Sequence, residues 1–322
     1  MSKLSVVISA YNEERNIKDC LESVRGLADE IIVIDNSSTD KTGEIARKYT
    51  KKVFEQKNDP KNIDPQKNFG FSKATGDWIL SLDADERITP ELTNEIKSVL
   101  SQQPTATRST SSGQDSQQPS GYWLPRKNII FGKWIQSDMW WPDYQLKLFK
   151  KGKGKFGKND VHKALILEGG SEKLTNPLVH HNYVSIHQYI QKLNNYTDIE
   201  AENLSLQGYS LNWLDAIRFP INDFVKTFFL QKGFKDGIHG LVLSMFQAFY
   251  MGIVFAKLWE REGFREVETR NFLQEVLSEF KDSKNKIIFW LTSSLISESK
   301  NPLKKLVLKA KRKIVRNKIK FS

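Results

Sequence analysis

The chain holds a single cysteine, Cys20, in 322 residues, so no intramolecular disulfide can form and nothing points to an oxidising compartment. The expectation is a cytoplasmic setting. No G-x-G-x-x-G follows the first apolar run, which disfavours a Rossmann dinucleotide site. That run (Leu4, Val6, Val7, Ile8) is too short for a signal-peptide core and lacks a small-residue cleavage site after it, so it reads as a first β-strand. No internal repeat is evident. Residues 101–120 have no large apolar side chain and are rich in Ser, Thr, Gln and Pro, which predicts a flexible loop. Acidic residues are missing from 300–322, which carry 10 Lys/Arg, whereas residues 1–100 carry 15 Lys/Arg against 18 Asp/Glu. The net charge of +11 is therefore a property of the tail and predicts an anionic surface as partner. The tail interleaves its lysines with Leu, Val and Ile rather than with stacking aromatics, which favours lipid, so no nucleic acid is expected.

What is present begins with a hydrophobic fraction of 39%, enough for a real core. Apolar runs at 4–10, 30–34, 53–55 and 78–82 alternate with helical patterns at 14–25, 39–49 and 66–74, a rhythm of crossover units that implies a mostly parallel sheet. The runs Ile31–Ile34 and Trp78–Leu82 are continuously apolar, as in strands covered on both faces. Further β-structure is expected at 122–131 and 145–149. From about Val184 apolar residues recur at helical spacing, so the reading is a catalytic unit over 1–183 and a helical extension over 184–322. Within the extension, 240–256 is almost wholly apolar and is expected to lie in, or dip into, a membrane interface. Residues 302–321 place Leu303, Leu306, Val307, Ala310 and Ile314 on one face among lysines, the pattern of an interfacial amphipathic helix.

Ligands in open α/β sheets bind outside the carboxyl ends of strands, and two of the apolar runs end in aspartate. In Ser81-Leu82-Asp83-Ala84-Asp85-Glu86, Asp83 and Asp85 are two residues apart on a strand end and can address one point. Such a pair suits a hard cation, Mg²⁺ or Mn²⁺, which fills its remaining positions with water and phosphate oxygens. The loop Ala10-Tyr11-Asn12-Glu13 after the first strand offers an aromatic for stacking, and Asp35, with Ser38 following, offers an acceptor at the end of the second, together a nucleotide site. Asn12 or Glu13 could equally cap the next helix, and Asp40 could serve as the N-terminal charge of its own. Lys67 and Arg87 are candidates for phosphate, with a solvated surface charge as the alternative. Adjacent His180 and His181 face opposite ways on a strand and are not both expected to hold one ion.

With Val6–Glu14, Ile34–Asp40, Gln66-Lys67-Asn68, Leu82–Glu86, Trp141–Phe149 and Val161-His162, the chain resembles a family 2 glycosyltransferase, specifically the bacterial lipopolysaccharide core glucosyltransferase-like group. The resemblance implies the GT-A fold, a mixed, mainly parallel sheet with an α-helical carboxyl-terminal extension. It also implies an inverting transfer from a nucleotide diphospho-sugar, a UDP-hexose, to a glycan or lipid-linked acceptor; with the apolar 240–256 and the basic tail, the expected place of work is the inner face of a membrane. Members of that group commonly follow Val-His with a glutamate, whereas here Lys163 follows Val161-His162. The general base is therefore sought first at Asp143, with Asp160 and His162 behind it; Asp143 could instead be a structural partner of Arg126 or Lys127. A polyprenyl-phosphate glycosyltransferase and a non-catalytic membrane-docked nucleotide-sugar-binding protein remain the alternatives.

Overall fold

A computed structural model of the chain describes residues 2–58, 64–101, 119–157, 165–266 and 269–319. Most of the low-complexity stretch expected at 101–120 lies outside the described residues, as do Asp160 and His162. The chain divides into two compact units, one comprising Met1–Trp134 with Trp141–Asn182, the other Ile135–Trp140 with Tyr183–Ser322.

The first unit runs β1 (Leu4–Ala10), α1 (Ile17–Val24), β2 (Glu30–Asp35), α2 (Thr42–Arg47), β3 (Val53–Glu55), α3 (Asp64–Lys73), β4 (Trp78–Asp83), β5 (Glu86–Ile88) and α4 (Pro90–Ser101). It continues with β6 (Gly121–Ile130), β7 (Lys133–Trp134), β8 (Asp143–Lys150), β9 (Gly154–Phe156), β10 (Leu165–Leu167), β11 (Ser171–Lys173) and β12 (Leu178–Tyr183). The main sheet follows the path β3-β2-β1-β4-β8-β6-β12-β5. Its amino-terminal half is parallel, as the alternation of strands and helices implies, and β8 joins it antiparallel to β4.

The parallel strands are covered on both faces, and the pleat sorts their side chains. Val6, Ile8, Leu80 and Leu82 pack with Ile17, Cys20, Leu21 and Val24 of α1 and with Leu92 and Ile96 of α4. Val7, Ile32, Ile34 and Ile79 turn the other way, onto Phe71 of α3 and Phe149. Each such buried side chain stabilises the fold by roughly 1.5–3 kcal/mol. The α3 backbone comes so close to the sheet that a Cβ at Gly70 would stand 2.6 Å from Val7 Cγ1.

The second unit contains α5 (Ile186–Leu206), α6 (Asp215–Val225), α7 (Ile238–Arg261), α8 (Phe272–Glu298) and α9 (Pro302–Arg316). Ser185 caps α5 by accepting from Gln188 N–H, and Asn301 caps α9 by accepting from the N–H groups of Leu303 and Lys304, with Pro302 opening that helix. The buried Asp236 carboxylate accepts from the N–H groups of Gln136 and Ser137, which ties the short excursion 135–140 to the helices. Among the described residues α7 is the one helix long and apolar enough, by length and composition, to cross a membrane. On α9, Leu303, Leu306, Val307 and Ile314 are all exposed.

Candidate active site

Strand register assembles the site. Ala10 pairs with Asp35 across β1 and β2, and Ser9 pairs with Asp83 across β1 and β4. The two aspartates therefore flank the end of β1 on the carboxyl margin of the sheet, about 10 Å apart at two strand spacings. The loops that follow β1 and β2 are laced together. Asn12 N–H donates to Ser38 Oγ at 2.9 Å, Asn12 Oδ1 accepts from Thr39 N–H at 2.8 Å, and Glu13 N–H donates to Thr42 Oγ1 at 2.7 Å. Asn12 and Ser37 hold φ angles of 55° and 59°, a left-handed conformation that non-glycine residues adopt at a cost. Asp40 accepts from Thr42 N–H at 2.9 Å and Glu14 N–H at 3.0 Å, which sets a negative charge just ahead of α2, whose N-cap residue is Lys41. Asp35 is buried and its Oδ1 accepts from Ser38 N–H at 3.0 Å, while Tyr11, on the loop that follows β1, is exposed. Gly43 makes room for Asp35, since a Cβ there would lie 2.5 Å from Asp35 Oδ2.

Asp83 ends β4 with its side chain 32% exposed, and two ammonium groups hold it: Lys67 from α3 at 2.7 Å on Oδ1 and Lys147 from β8 at 2.9 Å on Oδ2. Burial opposes ionisation, yet Lys147 and then Lys67 keep this carboxyl well below the usual range. Lys147 also meets Glu86, a carboxylate with no exposed surface, at 2.7 Å, and Glu86 Oε2 accepts from Asp83 N–H at 2.9 Å. Burial pulls the Lys147 ammonium toward neutrality, but Asp83 and Glu86 outweigh it and raise its pKa. The turn Ala84-Asp85 is fastened by Arg87, whose Nη1 donates to the carbonyls of Ala84 at 2.8 Å and Glu86 at 2.9 Å. Arg87 is thereby committed to the backbone of the acidic motif.

Asp85 faces His180, with Nε2 at 3.4 Å from Oδ2. His180 Nδ1 lies 2.7 Å from Asn128 Oδ1, and Asn128 Nδ2 donates to Asp143 Oδ2 at 3.2 Å. Because the Asn128 amide must turn its NH₂ toward a carboxylate, its oxygen faces His180, whose Nδ1 then carries a hydrogen and leaves Nε2 on the side of Asp85. A ring oriented through Nδ1 in this way places its other nitrogen where it could meet a cation held by Asp85. The neighbouring His181 points elsewhere, and burial followed by Arg87 lowers its pKa. Asp143 is ringed by donors: Arg126 Nε at 2.7 Å and Nη2 at 2.6 Å, Gln145 Nε2 at 2.7 Å, and Asn128. Against the effect of burial, Arg126 and these hydrogen bonds lower its pKa.

The structure thus brings Asp83, Ala84, Asp85, Lys67 and Arg87 to one strand end, and Ala10, Asn12, Glu13, Asp35 and Ser38 to the adjoining loops. Sequence reasoning missed the roles of Lys147, Glu86 and Asn128, and had Arg126 as a possible structural partner of Asp143, the pair the structure forms. A signal for Lys147 was present, since a charge between Leu146 and Leu148 on a strand next to acidic residues calls for a buried partner. As to fit for a divalent cation, Asp83 and Asp85 supply hard oxygen donors and His180 a nitrogen, although among the described residues no three such side chains already converge on one point. Donor phosphate oxygens would have to complete the coordination.

Residues 5–167 match the family model for glycosyl transferase family 2. An uncharacterized glycosyltransferase of Rickettsia typhi is 30% identical over 276 residues, covering 81% of this chain and 88% of that protein. LpsC of Rhizobium meliloti, a lipopolysaccharide core biosynthesis glycosyltransferase, is 24% identical over 267 residues, covering 81% and 94%. Among solved structures, residues 1–349 of S. aureus TarS align with 98% of this chain and 89% of their own length at 14% identity and a TM-score of 0.41.

Proposed function

Because the chain belongs to glycosyl transferase family 2, we propose that it transfers a hexose from UDP, with inversion, to a glycan or lipid-linked acceptor such as a lipopolysaccharide core. The observation that carries this reading is the alignment of Asp35, the Ala10 loop and Asp83 along one sheet margin, with Lys67 and Lys147 at the last of them. The relative named for lipopolysaccharide core biosynthesis supports the acceptor class.

In this reading Tyr11 stacks on the base, Asp35 accepts a hydrogen bond from it, and the backbone and side chains of Asn12, Glu13 and Ser38 shape the nucleoside pocket. Asp83 and Asp85, with His180 beside them, would hold Mg²⁺ or Mn²⁺, and such an ion would supply Lewis acidity for the charge that the departing diphosphate acquires. Lys67 adds a positive charge at the same place. As the bond from the anomeric carbon to the diphosphate breaks, the acceptor oxygen bonds to the opposite face of that carbon and its proton passes to a general base. Asp143 fills that role in the first instance, with Asp160 and His162 as the other candidates. On α9 the exposed Leu303, Leu306, Val307 and Ile314 meet an anionic membrane surface, which presents a lipid-linked acceptor to an enzyme working on the cytoplasmic side.

The test is transfer from UDP-hexoses in the presence of Mn²⁺. Asp85→Ala is expected to lower kcat by about a hundredfold or more; full turnover by that variant would refute the metal-dependent reading. A base must be deprotonated to act. If Asp143 is the base, its lowered pKa leaves kcat/KM without an acid limb from that group down to about pH 4, whereas an acid limb that His162→Gln removes assigns the proton to His162.

A further inference from the structure

Two lysines hold one carboxylate at the end of β4, and their settings differ. Lys147 is 8% exposed and locked, because its ammonium also neutralises Glu86, which water does not reach. Among the described residues Lys67 has one carboxylate partner, Asp83 Oδ1 at 2.7 Å, and its ammonium stands 5.6 Å from the centre of the Phe156 ring. Its backbone is well anchored nonetheless: the next residue, Asn68, exchanges two hydrogen bonds of 2.9 Å with the Phe156 backbone. The four-carbon stem can therefore swing without disturbing α3.

Resting on the proposed donor site, we propose that Lys67 is a placeholder cation. Without donor its ammonium occupies the side of Asp83 that a divalent ion needs, and an arriving diphosphate draws it away, so that metal and donor bind as one cooperative unit. A dication approaching the donor-free site meets a carboxylate already flanked by two positive charges, with no three ligating side chains convergent among the described residues. A diphosphate offers Lys67 a more highly charged partner, and its departure frees Asp83 Oδ1. By linkage, each ligand must then raise the affinity of the other by the same factor.

The experiment measures Mn²⁺ binding by calorimetry on the full chain, with and without saturating UDP, for the wild type, Lys67→Met, Lys67→Gln and the charge-conserving Lys67→Arg. In the wild type, UDP is expected to tighten Mn²⁺ about 5–150-fold, the usual span of coupling between sites. Lys67→Met and Lys67→Gln should bind Mn²⁺ more tightly than wild type when UDP is absent and lose most of that coupling, while Lys67→Arg retains it. A merely structural role would weaken both ligands together and leave their coupling unchanged. Mn²⁺ binding in Lys67→Met and Lys67→Gln that is no tighter than wild type overturns the placeholder alone. A wild-type chain that binds neither Mn²⁺ nor UDP overturns the donor site as well.

Discussion

The ammonium of Lys147 stands between a strand-end aspartate and a glutamate that water does not reach. Removing one partner of such a buried pair leaves an uncompensated charge and typically costs about 3–5 kcal/mol. Lys147→Met is expected to lose stability on that scale in urea unfolding, since among the described residues the other cation paired with Glu86 is Arg126, at 3.9 Å. A loss within the range of ordinary surface substitutions would show that Glu86 finds another solution. At this scale the sequence was informative about the residues that carry a motif and silent about those that hold it. Asp35, Asp83 and Asp85 stand out because apolar strands run into them. Asn128 and Glu86 acquire their importance from strands brought together across the sheet, through pairings that no local spacing encodes.

Among the elements, β1, β2 and β4 were legible because their continuous apolar runs are long enough to show a pattern. Strands β5, β7 and β11 have two or three residues each and show no period. Helix α6 was obscured differently: Pro220 lies inside it, and the chain continues as a π-helical stretch over Lys226–Leu230, an i→i+5 arrangement that a 3.6-residue period does not signal. Helix α9 was plain in the sequence, and its exposed apolar face gives a test at this scale. Each leucine buried in a bilayer contributes roughly 1.5–3 kcal/mol, so replacing Leu303 and Leu306 by Asp should weaken cosedimentation with phosphatidylserine vesicles at least tenfold. Equal binding by the variant would mean that α9 does not insert. Because α9 lies in the helical unit, transfer to a water-soluble acceptor should be unaffected.

For the molecule as a whole, pH acts through two kinds of group. Burial alone would raise the Glu30 carboxyl, but Lys52, Ser5 and Thr75 hold it near about 2 instead of 4.5, and Asp83, Asp143, Asp40 and Glu95 are also lowered. Carboxylates depressed in this way contribute stability in full above their unfolded pKa and lose it as pH falls through the folded one, so the main decline should lie below about pH 4. His181 acts earlier. Its pKa is lowered chiefly by burial, so folding favours the neutral ring, and that contribution fades as pH drops below about 6.5. Urea midpoints measured from pH 8 to 3 should show a shallow step and then a steep fall, and His181→Gln should remove only the step. A single steep decline that begins above pH 5 in both proteins would contradict this account.

The path of the chain between its two units has one more consequence. It leaves the sheet after Trp134, gives six residues to the helical unit, and returns at Trp141. Residues 1–183 produced alone would carry an excursion whose Gln136 and Ser137 amides have lost the Asp236 carboxylate that receives them. The two parts are stitched rather than strung, so a recombination event that exchanged one of them at a single crossover would also have to mend the stitch.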